Sequence, residues 1–182
     1  KREREKDLKQ ALEILNEFAW EFEDQLVGLW AYITIAQCSA ELRRFGDAQE
    51  RLKAILDQDA NDPRFDGIRM TAFWRAAEAM VLDGKMTEAI AVIDRMHKEY
   101  PKQYLDTEAG QSALLEKGKA LAAQQQYGAA IAEALRVVNA PNPWKKASAL
   151  ALLAGWGSLD TSAGAKIAFL QGEGFYGQYR ST

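Results

Sequence analysis

Cysteine and histidine occur once each in this 182-residue chain, and both shortages exclude chemistry. Cys38 has no second thiol to pair with, so neither an intrachain disulfide framework nor a zinc site built on several thiolates can form. His97, in His97-Lys98-Glu99-Tyr100, has no nucleophile or orienting carboxylate fixed beside it; the spacing predicts an exposed side chain near a helix C-terminus. No apolar run approaches the ~18–20 residues that span a bilayer, and no signal-peptide pattern is present. Basic charge does not accumulate either. The net charge is −3, with a basic surplus confined to residues 1–10 and 143–182, so the acidic middle lacks the footprint that nucleic acid demands. The chain opens on Lys1-Arg2-Glu3-Arg4 without methionine and is expected to be a processed product or an excised piece.

What is present is a helical composition with an internal echo. Hydrophobic residues at 48% and charged ones at 27% suffice for a folded core. Apolar positions recur every three or four residues, which predicts helices and almost no strand. Phe45-Gly46-Asp47-Ala48, Met86-Thr87-Glu88-Ala89 and Tyr127-Gly128-Ala129-Ala130 each begin such a stripe, and their alanines lie 41 residues apart. A weaker copy, Leu8-Lys9-Gln10-Ala11, precedes them. A recurrence on this scale marks an array of stacked units.

Within the second unit Phe65, Ile68, Ala72, Phe73, Ala76 and Met80 trace one helix face, ended by Asp83-Gly84-Lys85. Ala89, Ile93 and Met96 trace a second helix, closed by Tyr100-Pro101. Short polar turns make the pair antiparallel. Asp62-Pro63 and Asn142-Pro143 each read as a capping side chain before a proline at the first helical position.

The chain therefore resembles the tetratricopeptide repeat family. Phe73, Ala76, Ala77 and Met80, then Ala89, Ile93, Met96 and Pro101, carry the resemblance best; the units around Tyr32 to Ile55 and Leu114 to Val137 repeat it. A spacing of 41 exceeds the family's 34 by about two helical turns, which keeps a lengthened first helix nearly in phase. The resemblance implies an all-α, right-handed α-solenoid of antiparallel helix hairpins in one domain. The units are expected at about 1–24 (second helix only), 25–61, 62–101, 102–141 and 142–172, an atypical terminal hairpin, with 173–182 as a tail. In that hairpin Trp144, Leu150, Leu153 and Trp156 face Ile167, Phe169 and Leu170. A closing proline followed by an extended first helix is similar to bacterial cell-envelope proteins of this type, which inclines the localisation there rather than to the cytoplasm.

Three segments imitate chemical motifs and fall short. Asp57-Gln58-Asp59-Ala60-Asn61-Asp62 starts like a calcium loop, but Asp62 replaces the turn glycine and Ile68 the bidentate glutamate. Gly172-Glu173-Gly174-Phe175-Tyr176-Gly177 has the glycine pattern of phosphate loops with only five residues left to follow, and reads as a tail pinned by Phe175, Tyr176 and Tyr179. Glu21, Glu23 and Asp24 read as a solvated face, with Asp24 starting a helix. No catalytic residue, metal or cofactor is expected.

In the family the first helices of successive repeats line a concave face. The resemblance places Trp30, Ile33 and Gln37, then Thr71, Trp74 and Glu78, then Ser112, Leu115 and Lys119 in that groove. Trp30 and Trp74 either meet the ligand there or pack between repeats. With Lys119 the only base among the nine, the groove is expected to take an apolar or amphipathic protein segment rather than an acidic tail. Leu8, Leu12, Leu15 and Phe18 or Phe22 read as a second helix lacking its first, which invites homodimerisation or contact with a missing segment. An interaction scaffold is thus the leading reading, ahead of a self-associating assembly subunit and of an enzyme or small-ligand domain.

Overall fold

The computed structural model describes residues 2–23, 25–58, 61–157 and 159. Among them are eight α-helices and no strand: α1 Arg2–Glu21, α2 Leu26–Glu41, α3 Phe45–Leu56, α4 Asp66–Leu82, α5 Met86–Glu99, α6 Glu108–Ala123, α7 Tyr127–Val138 and α8 Lys146–Gly157. None is long and apolar enough to cross a membrane. The helix-period stripes and the near absence of proline inside them leave the backbone no better way to satisfy its own hydrogen bonds.

Each hairpin turns on one left-handed residue. Arg43, Gly84 and Gln125 have φ of 60°, 82° and 62°. Behind each, the next amide bonds back to a carbonyl of the last helical turn: Arg44 to Ser39, Lys85 to Met80 and Gln126 to Leu121, at 2.8–2.9 Å. This C-terminal motif reverses the chain in a few residues, so α2 and α3, α4 and α5, and α6 and α7 pack as antiparallel pairs. Only the middle turn uses glycine, the residue for which this geometry is free of Cβ strain.

The first helices α2, α4 and α6 also pack on one another, whereas α3, α5 and α7 barely touch. The stack is therefore tighter between successive first helices than between successive second ones, as in an all-α solenoid. Their burial follows. α6 hides a continuous run from Gly110 to Glu116, while α5 buries only Ala89, Ile93 and Met96. A helix with neighbours on several sides must be apolar nearly all round; one with an outer flank needs only a stripe. Phe73, fully buried, sits at the centre of the main core.

Two glycines set the closest approaches between elements. A Cβ on Gly28 would lie 2.1 Å from the Phe22 carbonyl oxygen, and one on Gly110 would lie 1.8 Å from that of Tyr104. Both occupy the third residue of a first helix, where the preceding segment crosses it.

Several details differ from the sequence expectation. α1 begins at Arg2 rather than near Leu8, and Leu12 is buried against α2, not uncovered. Pro143 precedes α8 by three residues instead of opening it, because the Asn142 carbonyl is taken by Gln111 Nε2 at 2.7 Å and by the Trp144 amide at 2.9 Å. Asp62 caps a 3₁₀ turn, Pro63–Phe65, that leads into α4; its Oδ1 accepts from the Arg64 amide at 3.0 Å. Leu153 and Trp156 are buried, but Trp144 is 65% exposed. Their expected partners Ile167, Phe169 and Leu170, the tail aromatics, the glycine pattern at 172–177, and Asp24, Asp59 and Ala60 lie outside the described residues.

Candidate functional site

The first helices bring one polar ladder together. α2 presents Trp30, Thr34 and Gln37; α4 presents Thr71, Trp74, Arg75 and Glu78; α6 presents Glu116 and Lys119. Residues three and four apart share a face, so each helix contributes a column. The columns are tied by hydrogen bonds. With its amide turned so that the oxygen faces the guanidinium, Gln37 accepts from Arg75 Nε at 2.9 Å. Arg75 Nη1 donates to Glu78 Oε2 at 2.7 Å, and Lys119 Nζ donates to Glu116 Oε1 at 2.6 Å.

Electrostatics join the last two columns. Burial pushes the Glu116 carboxyl above the ordinary glutamate range; the Lys119 hydrogen bond and charge oppose this, Glu78 adds to it, and Arg75 again opposes it. Arg75 stacks on the Trp74 indole, its Cζ 3.7 Å from the ring centroid, and Lys145 Nζ stands 5.8 Å from the same ring. Lys145 also pairs with Glu108 at 2.6 Å, and that hydrogen bond holds the Glu108 carboxyl below its usual range. Every cation of this face thus already has a carboxylate.

The nine expected groove residues do not all reach this surface. Trp30 is 47% exposed, Lys119 is exposed, and Gln37, Thr71, Trp74 and Glu78 are half-buried. Ile33, Leu115 and Ser112 are buried at 5%, 4% and 5% exposure, the first two inside the main core. Among the described residues Ser112 Oγ finds no hydrogen-bond partner. Arg75 and Glu116, which sequence reasoning missed, follow Trp74 and Leu115 directly; their only signal was a charged residue beside each stripe of apolar ones.

The other polar clusters are structural. Arg69, with 0% exposure, donates to Tyr100 Oη at 3.0 Å, to the carbonyls of Leu56 and Gln58, and to Glu99. Lys117 bridges Asp94 at 2.7 Å and Glu133 at 3.1 Å, linking α5, α6 and α7. His97 is half-buried and stacks on Tyr104 with centroids 4.1 Å apart, rather than standing free in solvent. Among the described residues no group of three or more His, Cys, Asp or Glu could hold a metal ion.

Consecutive antiparallel helix pairs stacked through their first helices define a helical-repeat protein. Residues 4–69, from α1 into α4, match the family model described as Tetratricopeptide repeat, and the helix pairs beyond that match continue the same architecture. No curated protein and no solved structure matches it. Repeats of this family are generally protein–protein interaction modules, typically scaffolds rather than catalysts.

Proposed function

We propose that this chain is a non-catalytic scaffold that holds a peptide or helix of a partner protein along the inner face of α2, α4 and α6. The observation that carries this reading is the exposed Trp30 indole on α2 together with the half-buried, cation-stacked Trp74 on the neighbouring first helix α4. Aromatic side chains give large contact area at low entropy cost and dominate interface energetics. The partner is an amphipathic segment, its apolar side on the tryptophans and its polar side along Gln37, Arg75, Glu78, Glu116 and Lys119. An acidic tail is disfavoured, since it would have to break the Arg75–Glu78, Lys119–Glu116 and Lys145–Glu108 pairs before using any of those cations.

Partner recovery from the source cell by the immobilised chain tests the site, with Trp30→Ala/Trp74→Ala as the comparison. Recovery is expected to be lost in the variant. Unchanged recovery removes this face as the binding site, and equal binding of peptides ending in a run of acids removes the amphipathic preference.

A further inference from the structure

Equivalent positions in the second helices expose an incomplete repeat. Ala48, Leu52 and Ile55 in α3, Ala89, Ile93 and Met96 in α5, and Ala130, Ala134 and Val137 in α7 are each no more than 1% exposed. The same spacing in α1 falls on Ala11, Leu15 and Phe18, where the first two are half-buried and Phe18 is 37% exposed. The cause is topological. Each of α3, α5 and α7 is packed between its own first helix and the next one, whereas α1 packs substantially on α2 alone. No described helix takes the place on α1 that α2 takes on α3.

The neighbouring flank of α2 shows the same vacancy. Val27 is 44% exposed, whereas Ile68, 41 residues on in α4 and covered by the preceding hairpin, is 2% exposed. On the outer side of α1, Ile14 is 61% exposed and completes an apolar strip with Phe18. Glu17 and Glu21, each three residues beyond one of these, frame the strip. No lysine or arginine occurs between Lys9 and Arg43, while Glu13, Glu17, Glu21 and Glu23 are all exposed.

We infer that this acid-framed strip on α1 and the start of α2 is a docking site for a basic amphipathic helix of another protein, lying antiparallel to α1 as a surrogate first helix. Its apolar face covers Ile14, Leu15, Phe18 and Val27 as α2 covers Ala48, Leu52 and Ile55. Its lysines and arginines meet Glu17 and Glu21. The carboxylates repel acidic helices of the same apolar pattern, so charge supplies the selectivity and apolar burial the affinity.

The test uses the full chain and two fluorescein-labelled synthetic helices of about 20 residues. Both carry leucines at one helical face; one is flanked by lysine and arginine, its twin by glutamate. In fluorescence anisotropy the basic helix is expected to bind at least about tenfold more tightly at low salt, a margin that narrows as salt screens it. Phe18→Asp is expected to weaken it about tenfold. The exposed pair Glu17→Lys/Glu21→Lys, with its folding checked by circular dichroism, is expected to reverse the preference. Equal binding of the twins, binding of neither, or indifference to the charge swap overturns the inference. So does a dimer of the full chain in sedimentation that Phe18→Asp dissociates, since the strip would then belong to a second copy.

Discussion

Arg69 fastens one repeat to the next, and replacing it with methionine measures what that fastening contributes. Its guanidinium reaches the Leu56 and Gln58 carbonyls behind α3 and, in the other direction, Tyr100 Oη and the Glu99 carboxylate at the end of α5. Methionine fills the volume of the stem, so the loss is mainly in hydrogen bonds. Arg95 still serves Leu56 at 3.3 Å and Glu99 at 2.7 Å, which leaves the Gln58 carbonyl and the Tyr100 hydroxyl stranded. Two buried polar groups without partners cost about 1–3 kcal/mol each. Gln58 is half-buried and recovers part of that from water, so the net loss is about 3 kcal/mol. For a chain of this size that lowers the melting temperature by roughly 6–12 °C. Arg69→Lys should lose nearly as much, because a single ammonium cannot reproduce the guanidinium fork. Urea unfolding followed by circular dichroism gives the number. A methionine variant within about 1 kcal/mol of the parent refutes the role assigned to this residue.

Two further perturbations follow from close contacts and from burial. Gly28→Ala and Gly110→Ala each drive a Cβ into a backbone carbonyl and should cost about 1–3 kcal/mol or more, whereas Gly46→Ala, which meets nothing within 4 Å, should gain about 0.5–1 kcal/mol; thermal melts showing the same sign for all three would contradict the packing. Glu116 has a folded-state pKa above its unfolded one, so the folded chain binds the extra proton more readily and this group favours folding more as pH falls from the raised value to the ordinary one. Glu116→Gln should therefore be more stable than the parent at about pH 7, with the advantage shrinking as pH falls toward the ordinary glutamate value of about 4.3 and gone below it. Melting differences independent of pH would exclude that linkage.

What the amino-acid order determined alone is everything that depends on neighbours along one helix. The triads around Ala48, Ala89 and Ala130, the stop at Asp83-Gly84-Lys85 and the break at Tyr100-Pro101 are local, because a 3.6-residue period and a chain reversal are properties of a few consecutive residues. The hairpin architecture follows from them. Tertiary structure decided which side of each first helix is left open: a step of one residue turns a helix by about 100°, so only the packing of α2 on α4 and α4 on α6 buries Ile33 and Leu115 while leaving Thr34 and Arg75 to the ladder. Arg69 was equally illegible, because a lone arginine in an apolar stretch reads as a solvent-facing residue until α3 and α5 bring it partners from 11 to 31 positions away. The partial exposure of Ala11, Leu15 and Phe18 has the same origin: their pattern is that of a buried stripe, and whether such a stripe is covered depends on the helices around it and not on its own residues.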